Sequence, residues 1–466
     1  MTLLIELNNL SINTNTIQLL QPLSLKLYQD KPVTILGQTG SGKSLLVQAI
    51  VGLLPKDLQQ QGEVKVFGEN HNQQSLMALW GKKVAMLPQE PWLALDPIMP
   101  AYQQVSEVYQ YVQGFNEEVA FNHAMKDIDK VGLTDSALKR PGQLSGGMAQ
   151  RLAVMAATAG GAKLVLADEP TKGLDISRRD DIIQLLLNSA KGGGLLTITH
   201  DIEVARQIGG NILVMKEGAI VEQGTTEQVL KAPQDPYTQS LINADPRHWF
   251  KHKKAIVNST AVLRIKGLSI GRKGKSLSND INMSIHAGEV IGVVGDSGCG
   301  KSTLGDTLLG LLAPIAGQVQ KLSNEAQPHQ WLKLFQDPPA AFTNSVTLSI
   351  LLDDLVKLHN LDSTRIAPLM KKLKLAPGLL ERKSTEVSGG ELQRFAILRA
   401  LMLDPVFLFA DEPTSRLDPI TAKEVIDLLV DLSKAQECVL LLVSHDPHLI
   451  EKRCDKVLRL SNNVLI

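Results

Sequence analysis

Apolar residues along this chain gather in short runs of two kinds. Some are continuous: residues 33–36 (VTIL), 163–167 (KLVLA), 195–199 (LLTIT), 290–294 (VIGVV), 406–410 (VFLFA) and 438–443 (CVLLLV). Such runs predict strands, and the densest, 438–443, reads as a buried parallel strand. Others place apolar residues at helical spacing: 44–54 (SLLVQAIVGLL), 148–157 (MAQRLAVMAA), 303–312 (TLGDTLLGLL) and 391–401 (ELQRFAILRAL). No stretch approaches about 18 consecutive apolar residues, the least that suggests a membrane span. The N-terminus, MTLLIELNNL, has neither the basic start nor the cleavage pattern of a signal peptide.

The pattern repeats. GQTGSGKS at residues 37–44 returns as GDSGCGKS at 295–302, QLSGGMAQR at 143–151 as EVSGGELQR at 386–394, and LADEPTKGLD at 166–175 as FADEPTSRLD at 409–418. Lys43 and Lys301 lie 258 positions apart, but Gln89 and Gln336 lie 247 apart, so the second half has lost 11 residues between these points. Ser145 to Ser388 and Asp168 to Asp411 are both 243, and His200 to His445 is 245. Two copies of one domain fit these offsets, with loops free to vary and the signature-to-acidic spacing held. The boundaries expected are a first domain over residues 1–245, a linker over 246–261 and a second domain over 262–466. The linker is polar and basic. Lys251, Lys253 and Lys254 could touch anionic lipid, but a solvated connection is the favoured reading.

Composition excludes little. The 466 residues are 44% hydrophobic and 21% charged, with a net charge of zero. No bulk electrostatic partner is implied, neither nucleic acid nor an anionic membrane. Cys299, Cys438 and Cys454 are too few and too scattered for a disulfide framework, so a reducing compartment fits.

The motifs carry the chemistry. Gly37, Gln38, Thr39, Gly40, Ser41, Gly42, Lys43 and Ser44 stand between a strand and a helix, as do Gly295, Asp296, Ser297, Gly298, Cys299, Gly300, Lys301 and Ser302, with Thr303 next. Strand, glycine-rich loop, helix is the context of a phosphate-binding loop. Its backbone N–H groups and helix N-terminus cradle phosphate, its lysine reaches the β- and γ-phosphates, and its serine hydroxyl ligates Mg2+. Asp168 and Asp411 end strands and would hold the Mg2+ shell; Glu169 and Glu412 follow as general bases for a water. His200 and His445 each end a strand before an aspartate, which favours a γ-phosphate or water contact over a core histidine. Gln89 and Gln336 could ligate Mg2+ or orient water through their amides. Ser145, Gly146 and Gly147, and again Ser388, Gly389 and Gly390, open helices and form a second anion nest in each half. For Cys299 a tolerated small residue is favoured over a reactive thiol.

Phosphate loop, glutamine, SGG, DE and histidine, twice in this order, resemble the ATP-binding cassette ATPases over nearly the whole chain. The resemblance implies an α/β fold of two tandem P-loop NTPase domains, each a RecA-like core with an antiparallel β subdomain and a helical subdomain. It implies ATP and Mg2+ as cofactors and head-to-tail pairing. One site would use Lys43, Ser44, Gln89, Asp168, Glu169 and His200, closed by Ser388, Gly389 and Gly390. The other would use Lys301, Ser302, Gln336, Asp411, Glu412 and His445, closed by Ser145, Gly146 and Gly147. Leu174–Asp175 and Leu417–Asp418 match the D-loop that links such sites, with Lys172 in place of the usual serine.

A finer resemblance lies in residues 222–246, which look like the tail of ATPases from the peptide/nickel importer family, with the PYT element at 236–238. It implies the motor of an importer for peptides, nickel or metal chelates, or related solutes. The motor would sit peripherally on the cytoplasmic face of the membrane without a lipid anchor, with two membrane-spanning permease subunits as partners and a substrate-binding protein upstream. The alternative is a soluble twin-cassette ATPase acting on ribosomes or nucleic acid; the short linker and zero net charge argue against it. Neither LSINT (10–14) nor LSIGR (268–272) offers an aromatic to stack on adenine, and no cysteine lies between Tyr237 and Cys299, so no iron–sulfur site is expected.

Overall fold

The computed structural model describes residues 1–466 apart from 39, 173, 175, 253–259, 273, 296–297, 324–325, 337–340, 416, 461–463 and 466. It divides into two compact units, Met1–Ile242 and Asn243–Ile466.

Each unit is built on a mainly parallel sheet. In the first, the order is Ala219–Thr225, Asn211–Lys216, Val33–Gly37, Gly194–Thr199, Leu164–Asp168, Val84–Leu87. All neighbours are parallel except the first pair. In the second, the order is Trp331–Leu334, Phe407–Asp411, Val439–Val443, Val290–Val294, Lys456–Arg459, Val464–Leu465, with only the last pair antiparallel. Every residue of Val33–Gly37, Leu164–Asp168 and Gly194–Thr199 is buried, as in Phe407–Asp411 and Val439–Val443. Burial on both faces is why these runs are continuously apolar rather than alternating. Because the strands run parallel, their carboxyl ends meet at one edge, where the repeated motifs stand.

A second, antiparallel sheet accompanies each core. It has four strands in the first unit, Gln18–Tyr28, Leu3–Asn13, Gln59–Val66 and Glu69–Asn70, and three in the second, Lys275–His286, Ala261–Arg272 and Ala316–Lys321. The missing 11 residues fall here. The first unit passes from Gln59–Val66 through Glu69–Asn70 and the helix Gln73–Met77 to its next core strand; the second, among the described residues, has only the turn Pro328–Gln330 at that place. A helical part follows in each: Ala101–Tyr111, Glu117–Lys130 and Gly146–Thr158, then Leu348–His359, Ile366–Lys372 and Gly389–Met402.

Residues 246–252, expected to be solvated linker, are anchored by one packed side chain, while His248, Phe250 and Lys251 are exposed. Trp249 is 5% exposed, and its indole Nε1 donates to the Ala244 carbonyl at 3.1 Å. The Arg453 guanidinium lies 4.3 Å from the ring centroid and donates to the Phe250 carbonyl at 2.9 Å. A desolvated aromatic under an arginine holds this segment to the second unit. Lys251 belongs to it, whereas Lys253 and Lys254 lie outside the described residues.

The offset of 258 between the loop lysines pairs the helix position Gly305 with Val47, and the offset of 243 between the aspartates pairs the strand position Phe409 with Leu166. Phe409 is fully buried, and a Cβ on Gly305 would lie 2.2 Å from its ring. Volume has moved from helix to strand between the two copies, so the core is filled either way. Gly305→Val should therefore destabilise the second unit by about 1–3 kcal/mol through overpacking. Phe409→Leu alone should also destabilise it, by leaving a cavity. The pair should be markedly less unstable than the sum of the singles, measured by urea unfolding as a double-mutant cycle; strictly additive losses would contradict the exchange.

Candidate functional site

The phosphate loop of the first unit runs from Val33–Gly37 into the helix Lys43–Val51, and that of the second from Val290–Val294 into Lys301–Leu309. Gly42 and Gly300 precede the helices with φ of 95° and 108°, a left-handed turn that only glycine enters at little cost. The turn aims the free N–H groups of each helix into the loop. Lys43 Nζ donates to the carbonyls of Gly37 at 2.7 Å and Gln38 at 2.6 Å; Lys301 Nζ donates to Gly295 at 2.7 Å. Each lysine thus arches over its own loop. Gly40, Ser41, Gly298 and Cys299 complete the described parts of the loops; Thr39, Asp296 and Ser297 lie outside the described residues, as does Asp175.

Parallel register brings the other motifs alongside. Asp168 pairs with Ile198 and Asp411 with Val443, so the acidic and histidine strands end together. Ser44 Oγ donates to Asp168 Oδ2 at 2.8 Å. Burial pushes the Asp168 carboxyl up, against the Ser44 hydrogen bond and the Lys43 charge, with the Glu169 charge adding to the rise. Asp411 is likewise raised by burial, against a Ser302 hydrogen bond and the charge of Lys333. A buried carboxylate beside a hydroxyl is an oxygen pair short of positive charge, the donor chemistry a hard divalent cation takes. Among the described residues no cluster of three His, Cys, Asp or Glu could hold a metal alone. Such a cation would need phosphate oxygens and water to complete its shell.

Glu169 and Glu412 leave their strands with φ of 48° and 50°. That conformation is uncommon for a non-glycine residue, and it recurs at the same place in both units. Each glutamate N–H still donates to the neighbouring strand, to Ile198 at 2.9 Å and to Val443 at 3.2 Å. The turn swings the carboxylate toward the histidine. His200 Nδ1 lies 2.8 Å from Glu169 Oε1, and His445 Nε2 lies 2.6 Å from Glu412 Oε1. The rings present opposite nitrogens. Burial opposes the charge on Glu169, yet the His200 charge and hydrogen bond outweigh it and hold the carboxyl below its usual range. The same pairing holds His200 above its usual range against burial. Gln336 Nε2 donates to Glu412 Oε2 at 2.7 Å, so this glutamine joins its site. Gln89 is exposed just beyond Val84–Leu87.

Ser145 and Ser388 cap the helices Gly146–Thr158 and Gly389–Met402. The caps differ. Ser145 Oγ accepts from Met148 N–H at 3.4 Å, whereas Ser388 forms a full capping box with Glu391, whose carboxylate takes Ser388 N–H at 2.9 Å and its hydroxyl at 2.7 Å.

Residues 20–172 and 278–415 match the family described as ABC transporter, well over half the chain. The chain belongs to the ABC transporter family. It is an ATP-binding ATPase of the kind that couples hydrolysis to transport. It is 30% identical to the uncharacterized ABC transporter ATP-binding protein YejF of Escherichia coli strain K12, over 99% of this chain and 95% of that one. It is 31% identical to the peptidoglycan transport ATP-binding protein YejF of Agrobacterium fabrum, over 92% and 85%. It is 30% identical to the glutathione import ATP-binding protein GsiA of Escherichia coli strain K12, over 93% and 80%. Among solved structures, one described as RNase-L Inhibitor aligns with a TM-score of 0.65 over 96% of this chain and 87% of that one, at 22% identity, a likeness of fold. No described helix is long and apolar enough to cross a membrane.

Three further residues touch these sites; two were not singled out from the sequence, and the third belongs to the PYT element. Thr199 Oγ1 donates to Glu169 Oε2 at 3.4 Å. Gln150, fully buried, donates to the Pro170 carbonyl and ties the signature helix to the DEP turn. Its signal was present: a glutamine stands at the same place in SGGMAQR and SGGELQR. Tyr237 of the PYT element accepts from the Gln38 N–H at 2.9 Å, which places the tail of the first cassette against its own phosphate loop.

The Glu169–His200 pair sets a pH dependence. His200, raised in the folded state, contributes stability that is fully present below about pH 6.5 and lost as the pH rises through its folded value. Glu169, held low, loses its share only as the pH falls below the carboxylate range. The melting-temperature gap between the wild type and His200→Gln should therefore be larger at pH 5.5 than at pH 8.5. A gap that widens with rising pH would contradict the pairing.

Proposed function

We propose that residues 1–245 and 262–466 act as two cassettes of an importer motor, each hydrolysing ATP at its own phosphate loop and each completed by the other cassette's signature. The observation that carries this reading is the recurrence of one constellation: arching lysine, hydroxyl beside the buried aspartate, and glutamate turned onto histidine. Lys43 and Lys301 release their loop carbonyls and neutralise phosphate oxygens. Mg2+, held by Ser44 with Asp168 and by Ser302 with Asp411, supplies charge neutralisation on the β- and γ-phosphates when bound. Glu169 and Glu412 take a proton from the attacking water, and His200 and His445 orient those carboxylates, His200 also holding Glu169 below its usual range. Gln336, already on Glu412, positions the water; Gln89 reaches its site with nucleotide present. Ser388, Gly389 and Gly390 would cap the nucleotide of Lys43, and Ser145, Gly146 and Gly147 that of Lys301.

The motor attaches peripherally to the cytoplasmic face of the membrane through two permease subunits, contacting them with the segments after Gln89 and Gln336. A binding protein delivers the cargo. The relatives named for glutathione import and peptidoglycan transport both handle solutes that contain short peptides, which supports a peptide-bearing solute over a bare metal ion.

With Glu169→Gln and Glu412→Gln combined, the full chain should still bind ATP while hydrolysis falls at least ~100-fold, the low end of what a general base contributes. Turnover at the wild-type rate would remove both glutamates from the base role. Co-expression with a cognate permease should bring the chain to the membrane fraction. Sedimentation with ribosomes, independent of permease, would instead support the soluble alternative.

A further inference from the structure

Behind the second phosphate loop lies a charged pair that the first lacks. Lys333, in the strand Trp331–Leu334, and Asp306, in the helix Lys301–Leu309, meet at 2.6 Å. Both side chains are nearly enclosed, 12% and 10% exposed. The corresponding positions in the first half are Met86 and Gln48, which carry no charge. One copy carries two buried charges where the other carries none, at positions 27 residues apart. Burying such a pair costs desolvation that an apolar–amide pair avoids, so stability alone gives no reason for it.

The orientation gives one. Lys333 Nζ also lies 3.8 Å from Asp411 Oδ2, the carboxylate that ends the neighbouring strand. It is braced there by aromatic faces, 5.2 Å from the centroids of both Phe335 and Phe409. Asp306 is held from its other side by Arg272, at 3.4 Å. The pair thus presents its positive end to Asp411. Asp168 in the first cassette has no such cation from the strand behind it, since Met86 stands at that place.

We propose that Lys333, set by Asp306, weakens divalent-cation binding at the second nucleotide site and so makes the two sites unequal. The proposal rests on the reading that Ser302 and Asp411 hold Mg2+. A cation beside the carboxylate repels the metal and competes for the same oxygen. Asp306 cancels part of that charge, which leaves a modest net effect of roughly 3- to 30-fold in metal affinity. Lys333 is a positioning residue: it acts on the metal through Asp411.

The test is a titration of the full-length protein with Mn2+ in the presence of a non-hydrolysable ATP analogue, followed by electron paramagnetic resonance. The wild type should bind two Mn2+ per chain in two affinity classes. Asp306→Gln with Lys333→Met, which installs the residues of the first cassette, should tighten the weaker class by roughly 3- to 30-fold and leave the tighter one in place. Lys333→Arg, which keeps the charge and the ion pair, should retain the weaker class; it also tests the proposal should the double variant fold poorly. Equal affinities in the wild type would overturn the inference while leaving the two-site reading intact. So would a double variant, folded by its thermal melt, whose weaker class does not move. Absence of any nucleotide-dependent Mn2+ binding would overturn both the inference and the reading it rests on.

Discussion

A parallel sheet covered on both faces can present polar groups to solvent only where its strands stop. The strands that stop together in each cassette are the one leading into the phosphate loop, the one ending in Asp168 or Asp411, and the one before His200 or His445. Register then decides which side chains can meet. Asp168 stands opposite Ile198, so Glu169, one residue on, faces the end of the histidine strand. The left-handed turn at this glutamate converts adjacency into contact. The strain is tolerated because the glutamate N–H stays in the ladder and its carboxylate gains a partner. Positions that look like separate motifs in the chain are consequences of one alignment.

That alignment is what the two copies share, and their differences lie around it. Among the described residues the second cassette has no counterpart of the strand Glu69–Asn70 or the helix Gln73–Met77 beside its antiparallel sheet. It has exchanged valine and leucine for Gly305 and Phe409, whose ring fills the space a Gly305 side chain would take. It has placed Lys333 and Asp306 behind Asp411 and capped its signature helix with Glu391. None of these changes falls on a residue of the two repeated constellations. Each changes the charge or packing that surrounds one, which is how duplicated sites come to differ while keeping the same geometry.

Much of this was legible in the chain. The buried strands announced themselves as continuous apolar runs, and the identical spacing from Ser145 to Asp168 and from Ser388 to Asp411 exposed the repeat. The serines, aspartates, glutamates and histidines of the sites could be named because motif order and strand ends constrain them, but the histidines were expected on the γ-phosphate or a water, and their contact with the glutamates came only from the structure. Other features stayed hidden because they depend on contacts between distant segments. Tyr237 belongs to a recognisable PYT element, but nothing local says that its hydroxyl reaches Gln38. Residues 246–252 read as polar linker because Arg247, His248, Lys251 and His252 flank only two aromatic residues; Arg453, two hundred positions later, and Lys423 give Trp249 a surface to pack on. Lys333 and Asp306 each look like solvated charges until the helix and strand are brought together. Matching the two halves position by position would have flagged both, since charge stands there where the first half has none.

The central claim is that this one chain holds two nucleotide sites of the same construction. Native mass spectrometry of the full-length protein with a non-hydrolysable ATP analogue counts them directly. Two nucleotides per chain in the wild type, falling to one with either Lys43→Ala or Lys301→Ala, is the result the account predicts. A single nucleotide in the wild type, or two that survive both substitutions together, would contradict it.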